Sequence, residues 1–334
     1  MRPILYYVHH QGSGHWRRAL AVAEHLPVPV VFASSAPPPR DLPDACDYLP
    51  LPLDAPARDA DGHDAHGHLH WAPRHHEGLL ARHRFLLDAV ASHRPSMAMV
   101  DVSVEIAVTL RVSGVPVTAV RLPGTRDDPP HQLGFGLADQ VVMPVPATWG
   151  LHDGLPCTHA VGLVTAAREP LPPTANGRPT AVVVVGTGGS RLDRAACELI
   201  AGDLPGHDVI ALGPQGVPGL PNLTFTGRVA DTAPYLGRAT VVIGNTGLGT
   251  LGEVVAARRP FVTLPEDRPF GEQAVTARQL DEHGEAVVLH RMPGPGGWAE
   301  AVAKAQALGA PQAQADGASR LARLIEENLM AVAR

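Results

Sequence analysis

Aromatic residues are scarce in this sequence, since Phe, Trp and Tyr together make up 4% of its 334 residues. Proteins that bind single-stranded nucleic acid usually stack the bases on aromatic side chains, so this scarcity argues against such a platform. An excess of positive charge is also missing, because 33 acidic residues outnumber 27 basic ones and leave a formal net charge of −6. A polymer of phosphates would require a basic surface, so we do not expect DNA or RNA as a partner.

Cysteines and long apolar runs are equally scarce. Cys46, Cys157 and Cys197 stand far apart and form no CxxC pair, and an odd number of cysteines cannot all pair within one chain. No apolar run approaches the ~18 residues of a membrane-spanning helix, and the run at 4–8 is too short for a signal peptide. We therefore expect a cytoplasmic protein. Peripheral contact with the inner face of the membrane stays open, because it depends on an exposed apolar and basic patch.

Short apolar runs rich in Val and Ile are present, and they alternate with stretches of helical spacing. The first such unit is a strand at 4–8, a glycine turn at 11–15 and a helix at 16–26. This alternation is typical of parallel sheets covered by helices on both faces, so we predict an α/β fold with two doubly wound, Rossmann-like domains. Further strands are predicted at 28–33, 97–100, 115–120, 141–143, 181–185, 208–212, 239–243, 261–264 and 286–289, and further helices at 79–93, 104–112, 192–201, 249–257, 272–283 and 318–333.

The predicted domain boundaries follow from where this pattern stops. Prolines, glycines and polar residues cluster between the two halves, which is typical of a linker. We predict an N-terminal domain at 1–163, a linker at 164–179, a C-terminal domain at 180–316 and a last helix at 317–334 that could pack back on the first domain. In the first half, no regular element is convincing between about 34 and 60, and 141–143 is the expected last strand.

Two glycine turns in the second half each follow a predicted strand and precede a predicted helix, one at 244–249 and one at 186–190. Such turns present backbone N–H groups and the positive end of a helix to an anion. Two of them at the carboxyl ends of strands favour a diphosphate ligand, although tight turns also use glycine for packing alone. Glu253, one turn into its helix, would accept hydrogen bonds from a ribose or would only complement the helix dipole.

The segment that begins at Thr246 reads Thr-Gly-Leu-Gly-Thr-Leu-Gly-Glu, continues through Pro260 and Pro265, and is followed by Gln273. It resembles the nucleotide-sugar domain of family 28 glycosyltransferases, the MurG type. In that family the pattern Ser/Thr-G-x-x-T-x-x-E precedes an A-x-x-x-P strand and a Gln motif. The resemblance implies a GT-B fold, with the donor in a cleft between the domains and the nucleotide held by the C-terminal one. The residues that it assigns to the donor are Glu253 for the ribose, Gly188, Gly189, Ser190, Thr246, Gly247 and Thr250 for the diphosphate, and Glu272 and Gln273 for the sugar.

The opening of the chain is similar to the same family. Gly12-Ser13-Gly14-His15 matches a glycine loop that faces the acceptor in family 28 enzymes. The resemblance implies an acceptor-binding N-terminal domain in which Gly12, Ser13 and Gly14 border the acceptor. His15 would be the base for the acceptor hydroxyl, a task suited to an imidazole. The alternative for His15 is an ordinary residue of the first helical turn that only caps or packs.

Three charged residues in the first half have two interpretations each. Arg121 and Arg126 follow a predicted strand and could bind a phosphate or carboxylate of the acceptor, but solvated loop charges are the default expectation. Asp101, at the end of its strand, is either an acid behind the acceptor site or the N-cap of the helix at 104–112. We favour the cap.

Histidines are concentrated in the stretch 63–76, which contains six of the eighteen in the chain. Such density can build a zinc or nickel site. The spacing matches no zinc motif and no cysteine joins it, so we expect a surface loop or a flap near the acceptor rather than a metal site.

Taken together, the residues and the resemblance predict an inverting, metal-independent glycosyltransferase. Its donor would be a UDP-sugar such as UDP-GlcNAc or UDP-glucose, its acceptor a small or lipid-linked molecule, and no further cofactor is expected. Two alternatives remain at this point. One is a sugar-nucleotide 2-epimerase or hydrolase of the same fold, and the other is a non-catalytic protein that binds a nucleotide-sugar.

Overall fold

The computed structural model describes residues 2–12, 14–38, 42–54, 62–151, 158–166, 177–186 and 188–332. Cys157 and most of the predicted linker lie outside these ranges. The strands are β1 (Ile4–Tyr7), β2 (Val30–Ser34), β3 (Cys46–Pro50), β4 (Met97–Asp101), β5 (Val117–Val120), β6 (Gln140–Met143), β7 (Thr158–Ala160), β8 (Thr180–Val184), β9 (Asp208–Leu212), β10 (Leu223–Gly227), β11 (Val241–Gly244), β12 (Phe261–Thr263) and β13 (Val287–Val288). The helices are α1 (Gly14–Ala23), α2 (Glu77–His93), α3 (Val104–Val112), α4 (Pro129–Leu137), α5 (Arg194–Asp203), α6 (Ala233–Leu236), α7 (Leu248–Ala257), α8 (Glu272–Glu282), α9 (Gly297–Leu308) and α10 (Gly317–Val332).

Each predicted strand and helix overlaps an observed one, but several observed elements were not predicted. The expectation of no regular element between about 34 and 60 is wrong, because β3 forms there as an edge strand. Its five residues are partly or fully exposed and include Asp47 and Pro50, so it lacks the apolar run of a central strand. The expectation that 141–143 is the last strand is also wrong, since β7 pairs with β6.

Helix α4 was missed because its composition is unfavourable for a helix. It contains two prolines and two glycines in nine residues. The prolines occupy its first turn, where the absent N–H would have no intrahelical partner, and the Asp128 carboxylate caps it by accepting from the His131 N–H at 2.9 Å. Position within the helix therefore outweighs average propensity.

The first sheet contains seven strands in the order β3-β2-β1-β4-β5-β6-β7, and all its pairings are parallel. The strand order reverses between β1 and β4. At such a switch point the connections leave in opposite directions, so the residues that follow the two strands border an open crevice. The groups that follow β1 and β4 are therefore the first place to look for a site.

The second sheet contains six parallel strands in the order β10-β9-β8-β11-β12-β13. Its order reverses between β8 and β11, the two strands that lead into the predicted glycine turns. Both sheets are built of parallel strands, and helices alternate with the strands along the chain, which confirms the predicted α/β class.

The chain divides into two compact units. The first unit is Met1–Leu122, Arg126–Ala166 and Asp316–Arg334, and the second is Pro123–Thr125 and Ala167–Ala315. Helix α10 thus belongs to the first unit, where Leu321 and Ile325 are buried in the same core as Ile4 and Tyr6. Full burial of an aliphatic side chain of this size stabilises the fold by about 1.5–3 kcal/mol. In the described part of the chain, no helix has both the length and the apolar character needed to cross a bilayer.

Candidate functional site

The turn between β1 and α1 is shorter than predicted. Gly12 has φ of +87°, a left-handed conformation that side chains disfavour, so this glycine is required by the backbone. Helix α1 begins at Gly14, which places Gly14 and His15 in the first helical turn rather than in the loop. Ser13 lies outside the described residues.

The side chain of His15 meets the buried acid that ends β4. Its Nδ1 lies 3.0 Å from Oδ2 of Asp101, whose side chain is completely buried, whereas 16% of the His15 side chain is exposed. NH2 of Arg18 lies 3.0 Å from the same Nδ1. An ionised carboxylate can only accept hydrogen bonds, so the tautomer that satisfies Asp101 carries its proton on Nδ1 and leaves the lone pair on Nε2. The contact orients the ring and supplies a negative charge behind it.

The interpretation of Asp101 as a helix cap is therefore wrong. The N-cap of α3 is Ser103, whose hydroxyl accepts from the Ile106 N–H at 3.3 Å. Because β4 continues through Asp101, the helix starts later than the acid, and the carboxylate is left to pair with side chains of α1.

Arg18 completes this cluster and was not singled out from the sequence. The arginine is 7% exposed, and its NH2 donates to both carboxylate oxygens of Asp101 at 2.8 and 2.9 Å. Burial by itself raises the pKa of Asp101, but the charges and hydrogen bonds of Arg18 and His15 outweigh burial and hold the pKa well below its ordinary range. Asp101 is therefore ionised at neutral pH. The spacing of three residues, which puts Arg18 on the same helix face as His15, was the available signal.

Two more histidines lie beside His15. The ring centroid of His9 is 5.3 Å from that of His15, and His9 stacks on His10 at 4.9 Å. Burial, with smaller contributions from the two neighbouring histidines, lowers the pKa of His9 to about 3. His9 is consequently neutral near pH 7 and adds an uncharged ring next to His15.

The default expectation for the two arginines after β5 is wrong, because both are buried. Arg121 is 3% and Arg126 is 9% exposed. The guanidinium of Arg121 lies over the ring of Phe135 at 6.0 Å, and NH1 of Arg126 lies 3.0 Å from Nε2 of His131. Both partners belong to α4, so the missed helix explains why a solvated loop was expected. Whether either arginine meets an acceptor stays a prediction.

One member of the histidine-rich stretch joins a cluster of ligand-type side chains. One such atom from each of His70, Asp128 and His131 lies within 4.8 Å of the others. Both ring nitrogens of His131 already have hydrogen-bond partners, with Nδ1 at 2.8 Å from Asp128 and Nε2 at 3.0 Å from Arg126. A metal bound at Nδ1 would leave the ring proton of His131 on Nε2, where it would face the N–H donors of the Arg126 guanidinium. The arrangement therefore favours a hydrogen-bond network over a metal site. His76 has a structural role, since its Nδ1 accepts from the Leu79 N–H at 3.1 Å and caps α2.

In the second unit, the turn after β11 leads directly into α7. The helix begins at Leu248 with Gly247 as its N-cap residue, and no described side chain caps it. The N–H groups of the first turn therefore keep their capacity to bind an anion. Thr250 lies in that first turn, and the half-buried Glu253 lies three residues further on the same helix face.

The turn after β8 differs from the turn after β11. The expectation that both turns lead in the same way into an uncapped helix start is wrong. Helix α5 begins only at Arg194, and the Asp193 carboxylate caps it by accepting from the Ala196 N–H at 2.9 Å. A carboxylate at this helix end takes the place that a phosphate would need. Gly188, Gly189 and Ser190 remain as a loop with φ of +85° at Gly189, and Thr187 lies outside the described residues.

Glu266, another residue that the sequence analysis did not single out, connects three of the predicted donor residues. Its buried carboxylate accepts from the Ser190 hydroxyl at 2.8 Å and from the Arg191 N–H at 2.7 Å. Its own N–H donates to Oε1 of Gln273 at 2.9 Å. The Thr246 hydroxyl in turn donates to the main-chain oxygen of Gln273 at 2.9 Å. The position of Glu266, just after a strand of the sheet that carries both glycine turns, was the available signal.

These contacts decide which end of Gln273 can face a ligand. The side chain is 4% exposed, and its Oε1 is used by Glu266 inside the protein. The amide nitrogen is left as a hydrogen-bond donor. Glu272 precedes it as the half-buried first residue of α8 and could offer an acceptor.

No protein-family model matches this sequence, and no curated protein matches it. Solved structures do. MurG of Acinetobacter baumannii is 16% identical with a TM-score of 0.65, and the match covers 98% of this chain and 100% of that one. Phytolacca americana UGT2, complexed with UDP-2-fluoro-glucose and pterostilbene, is 16% identical with a TM-score of 0.66, and the match covers 98% of both chains. Spinosyn rhamnosyltransferase SpnG with thymidine diphosphate is 16% identical with a TM-score of 0.63, over 99% of this chain and 96% of that one. At this identity the likeness shows architecture, and the predicted architecture is confirmed: the chain has the GT-B fold of glycosyltransferases.

Proposed function

We propose that this protein is a glycosyltransferase that moves a hexose or an N-acetylhexosamine from a UDP-sugar to an acceptor hydroxyl, with inversion and without a metal. The observation that carries the proposal is the contact of 3.0 Å between Nδ1 of His15 and the buried Asp101. It lies at the switch point of the first sheet, where doubly wound folds bind their ligands. A neutral imidazole oriented by a carboxylate is suited to accept a proton from a hydroxyl.

In the proposed reaction, Nε2 of His15 takes the proton of the acceptor hydroxyl as its oxygen attacks the anomeric carbon. The bond from that carbon to the diphosphate breaks in the same displacement, so the configuration inverts and no covalent intermediate forms. Asp101 stabilises the imidazolium that results. General-base catalysis of this kind contributes about 10²- to 10⁴-fold to the rate.

The donor would bind to the second unit. The uncapped start of α7 would hold the diphosphate and stabilise it as it leaves. Glu253 would accept hydrogen bonds from the ribose, and the amide of Gln273 with Glu272 would bind the sugar. Uridine is our proposal for the base, and thymidine belongs in any test because one protein of this fold holds its diphosphate.

The proposal is tested by calorimetry and thermal shift with UDP, TDP, GDP, ADP and their common sugar conjugates. A ligand present at 100 times its Kd stabilises the folded state by about 2.7 kcal/mol. We expect one nucleotide to stabilise the wild type, Glu253→Ala to lose that response, and the control variant Glu300→Ala to keep it. Glu300 is a carboxylate of α9 that pairs only with the exposed Lys304 among the described residues.

Two results would contradict the proposal. A well-folded protein that responds to no nucleotide excludes a nucleotide-sugar donor. A protein that binds UDP-sugars but releases no UDP when offered acceptors from a cell extract is a binding protein rather than a transferase.

A further inference from the structure

One guanidinium of the second unit lies on the loop after β8 and belongs to none of the groups described so far. Arg268 stands in the connection from β12 to α8, and its NH2 donates to the carbonyl oxygen of Gly189. A Cβ added to Gly188 would lie 3.3 Å from the same nitrogen. The side chain therefore rests directly against the two glycines.

Arg268 differs from the other arginine at this loop in how its charge is compensated. Nε of Arg191 lies 3.4 Å from Oε2 of Glu266, and Arg191 also donates to the Pro265 carbonyl. Among the described residues, no carboxylate forms an ion pair with Arg268, and the Gly189 carbonyl is its one hydrogen-bond acceptor. The loop thus carries one neutralised guanidinium and one whose charge is available to a ligand.

The backbone beneath Arg268 is constrained. Because a proline follows it, Arg268 is held in an extended conformation with φ of −133° and ψ of 154°. The Gly271 N–H donates to the Arg268 carbonyl at 3.0 Å, across a turn in which Phe270 has φ of +61°. A left-handed non-glycine residue costs about 1–3 kcal/mol, which the surrounding structure must offset. The backbone of Arg268 is therefore fixed by its neighbours, and its side chain is held at the loop by the hydrogen bond to the Gly189 carbonyl.

A departing diphosphate needs positive charge, and the loop after β8 lacks the usual source. The helix that follows it is capped by Asp193, so its positive end is already taken. A guanidinium can instead give charge-assisted hydrogen bonds to phosphate oxygens. We propose that Arg268 binds the diphosphate of the donor and stabilises its negative charge as it leaves. This proposal rests on the proposed function.

The test compares Arg268→Gln and Arg268→Lys with the control variant Arg278→Gln. Arg278 lies on α8 and pairs with Glu282 at 3.8 Å on the exposed surface, so its replacement removes the same charge elsewhere in the unit. Calorimetry with uridine, UMP, UDP and inorganic pyrophosphate measures binding to each variant. We expect Arg268→Gln to bind UDP and pyrophosphate about 10- to 100-fold more weakly and uridine equally well. Arg268→Lys should recover part of the loss, and Arg278→Gln should match the wild type.

The outcomes separate this proposal from the proposed function. If the wild type binds UDP and Arg268→Gln binds it equally well, Arg268 has no role at the diphosphate and the proposed function stands. If the wild type binds pyrophosphate but no nucleotide, and Arg268→Gln loses it, the arginine site holds and the nucleotide-sugar donor is excluded. If the wild type binds neither pyrophosphate nor any nucleotide, the role of Arg268 and the proposed function are both overturned. Thermal unfolding without ligand shows whether each variant folds, and Arg268→Lys provides the comparison if Arg268→Gln does not.

Discussion

The junction of β1 with α1 in the first unit and that of β11 with α7 in the second share one plan. Each is a buried strand, a glycine turn and a helix at the switch point of a parallel sheet. At the first junction, the first turns of the helix carry His15 and Arg18, whose side chains close on the buried Asp101. At the second, Gly247 leaves the helix start without a cap among the described residues.

The strand–turn–helix plan therefore does not by itself determine a chemistry. A histidine against a buried carboxylate can move a proton. A bare helix end presents only N–H groups and a partial positive charge, and these bind an anion. The turn after β8 is a third case, in which Asp193 fills the helix end and the nearby charge comes from Arg268.

The largest effect is expected from removing the proton acceptor of the first junction. His15→Ala should lower kcat by about 10²- to 10⁴-fold, while the Kd for the nucleotide stays unchanged, because the proposed donor site is in the other unit. Steady-state kinetics and calorimetry measure the two quantities. His25→Ala, an exposed histidine just beyond α1, is the control. Unchanged kcat in His15→Ala would remove the proposed contrast between the junctions.

A smaller effect is expected from giving the second junction the cap that α5 has. Gly247→Asp places a carboxylate at the start of α7 and should weaken nucleotide binding by about 30-fold, which is about 2 kcal/mol. Gly247→Asn has the same shape and Cβ but no charge, and a Cβ at this position lies 3.1 Å from Oδ1 of Asn245 in either variant. Equal affinity in the two variants, measured by calorimetry, would show that no anion binds there.

The third prediction concerns the pH dependence of stability, and acid should destabilise the first junction more than the second. Because burial lowers the pKa of His9 to about 3, the unfolded chain takes up a proton that the folded chain lacks, so stability falls as the pH drops from about 6.5 towards 3. The lowered pKa of Asp101 adds to the loss at still lower pH, because its ionised form is the one that the fold stabilises. The slope is at most about 1.4 kcal/mol per pH unit for each group.

Hydrogen exchange between pH 7 and 4 measures this locally. Amides of α1 should lose protection on acidification more than amides of α7. His9→Asn keeps an acceptor for the Gln11 N–H, which now bonds to Nδ1 of His9 at 3.2 Å, and should flatten the dependence. Equal acid sensitivity of α1 and α7 would contradict the assignment of the effect to this junction.

The elements that sequence analysis predicted correctly are those whose information is local. β4 and β11 are runs of apolar residues buried on both faces, and such runs are recognisable without knowledge of their neighbours. β3 was missed because an edge strand exposes one side and tolerates Asp47 and Pro50. Arg121 was expected in solvent because its burial depends on Phe135, which α4 brings over the guanidinium.

By itself, the sequence determined the alternation of strands and helices, the two glycine turns and the presence of a histidine at the start of the first helix. These follow from periodicity and from the conformational freedom of glycine, which act over a few residues. Which charges meet depends on the folding of each whole unit. His15 and Asp101 are 86 residues apart, Ser190 and Glu266 are 76 apart, and Arg268 and Gly189 are 79 apart. Such pairs come together because strand order in a parallel sheet is set by packing of the whole unit, which no local pattern specifies.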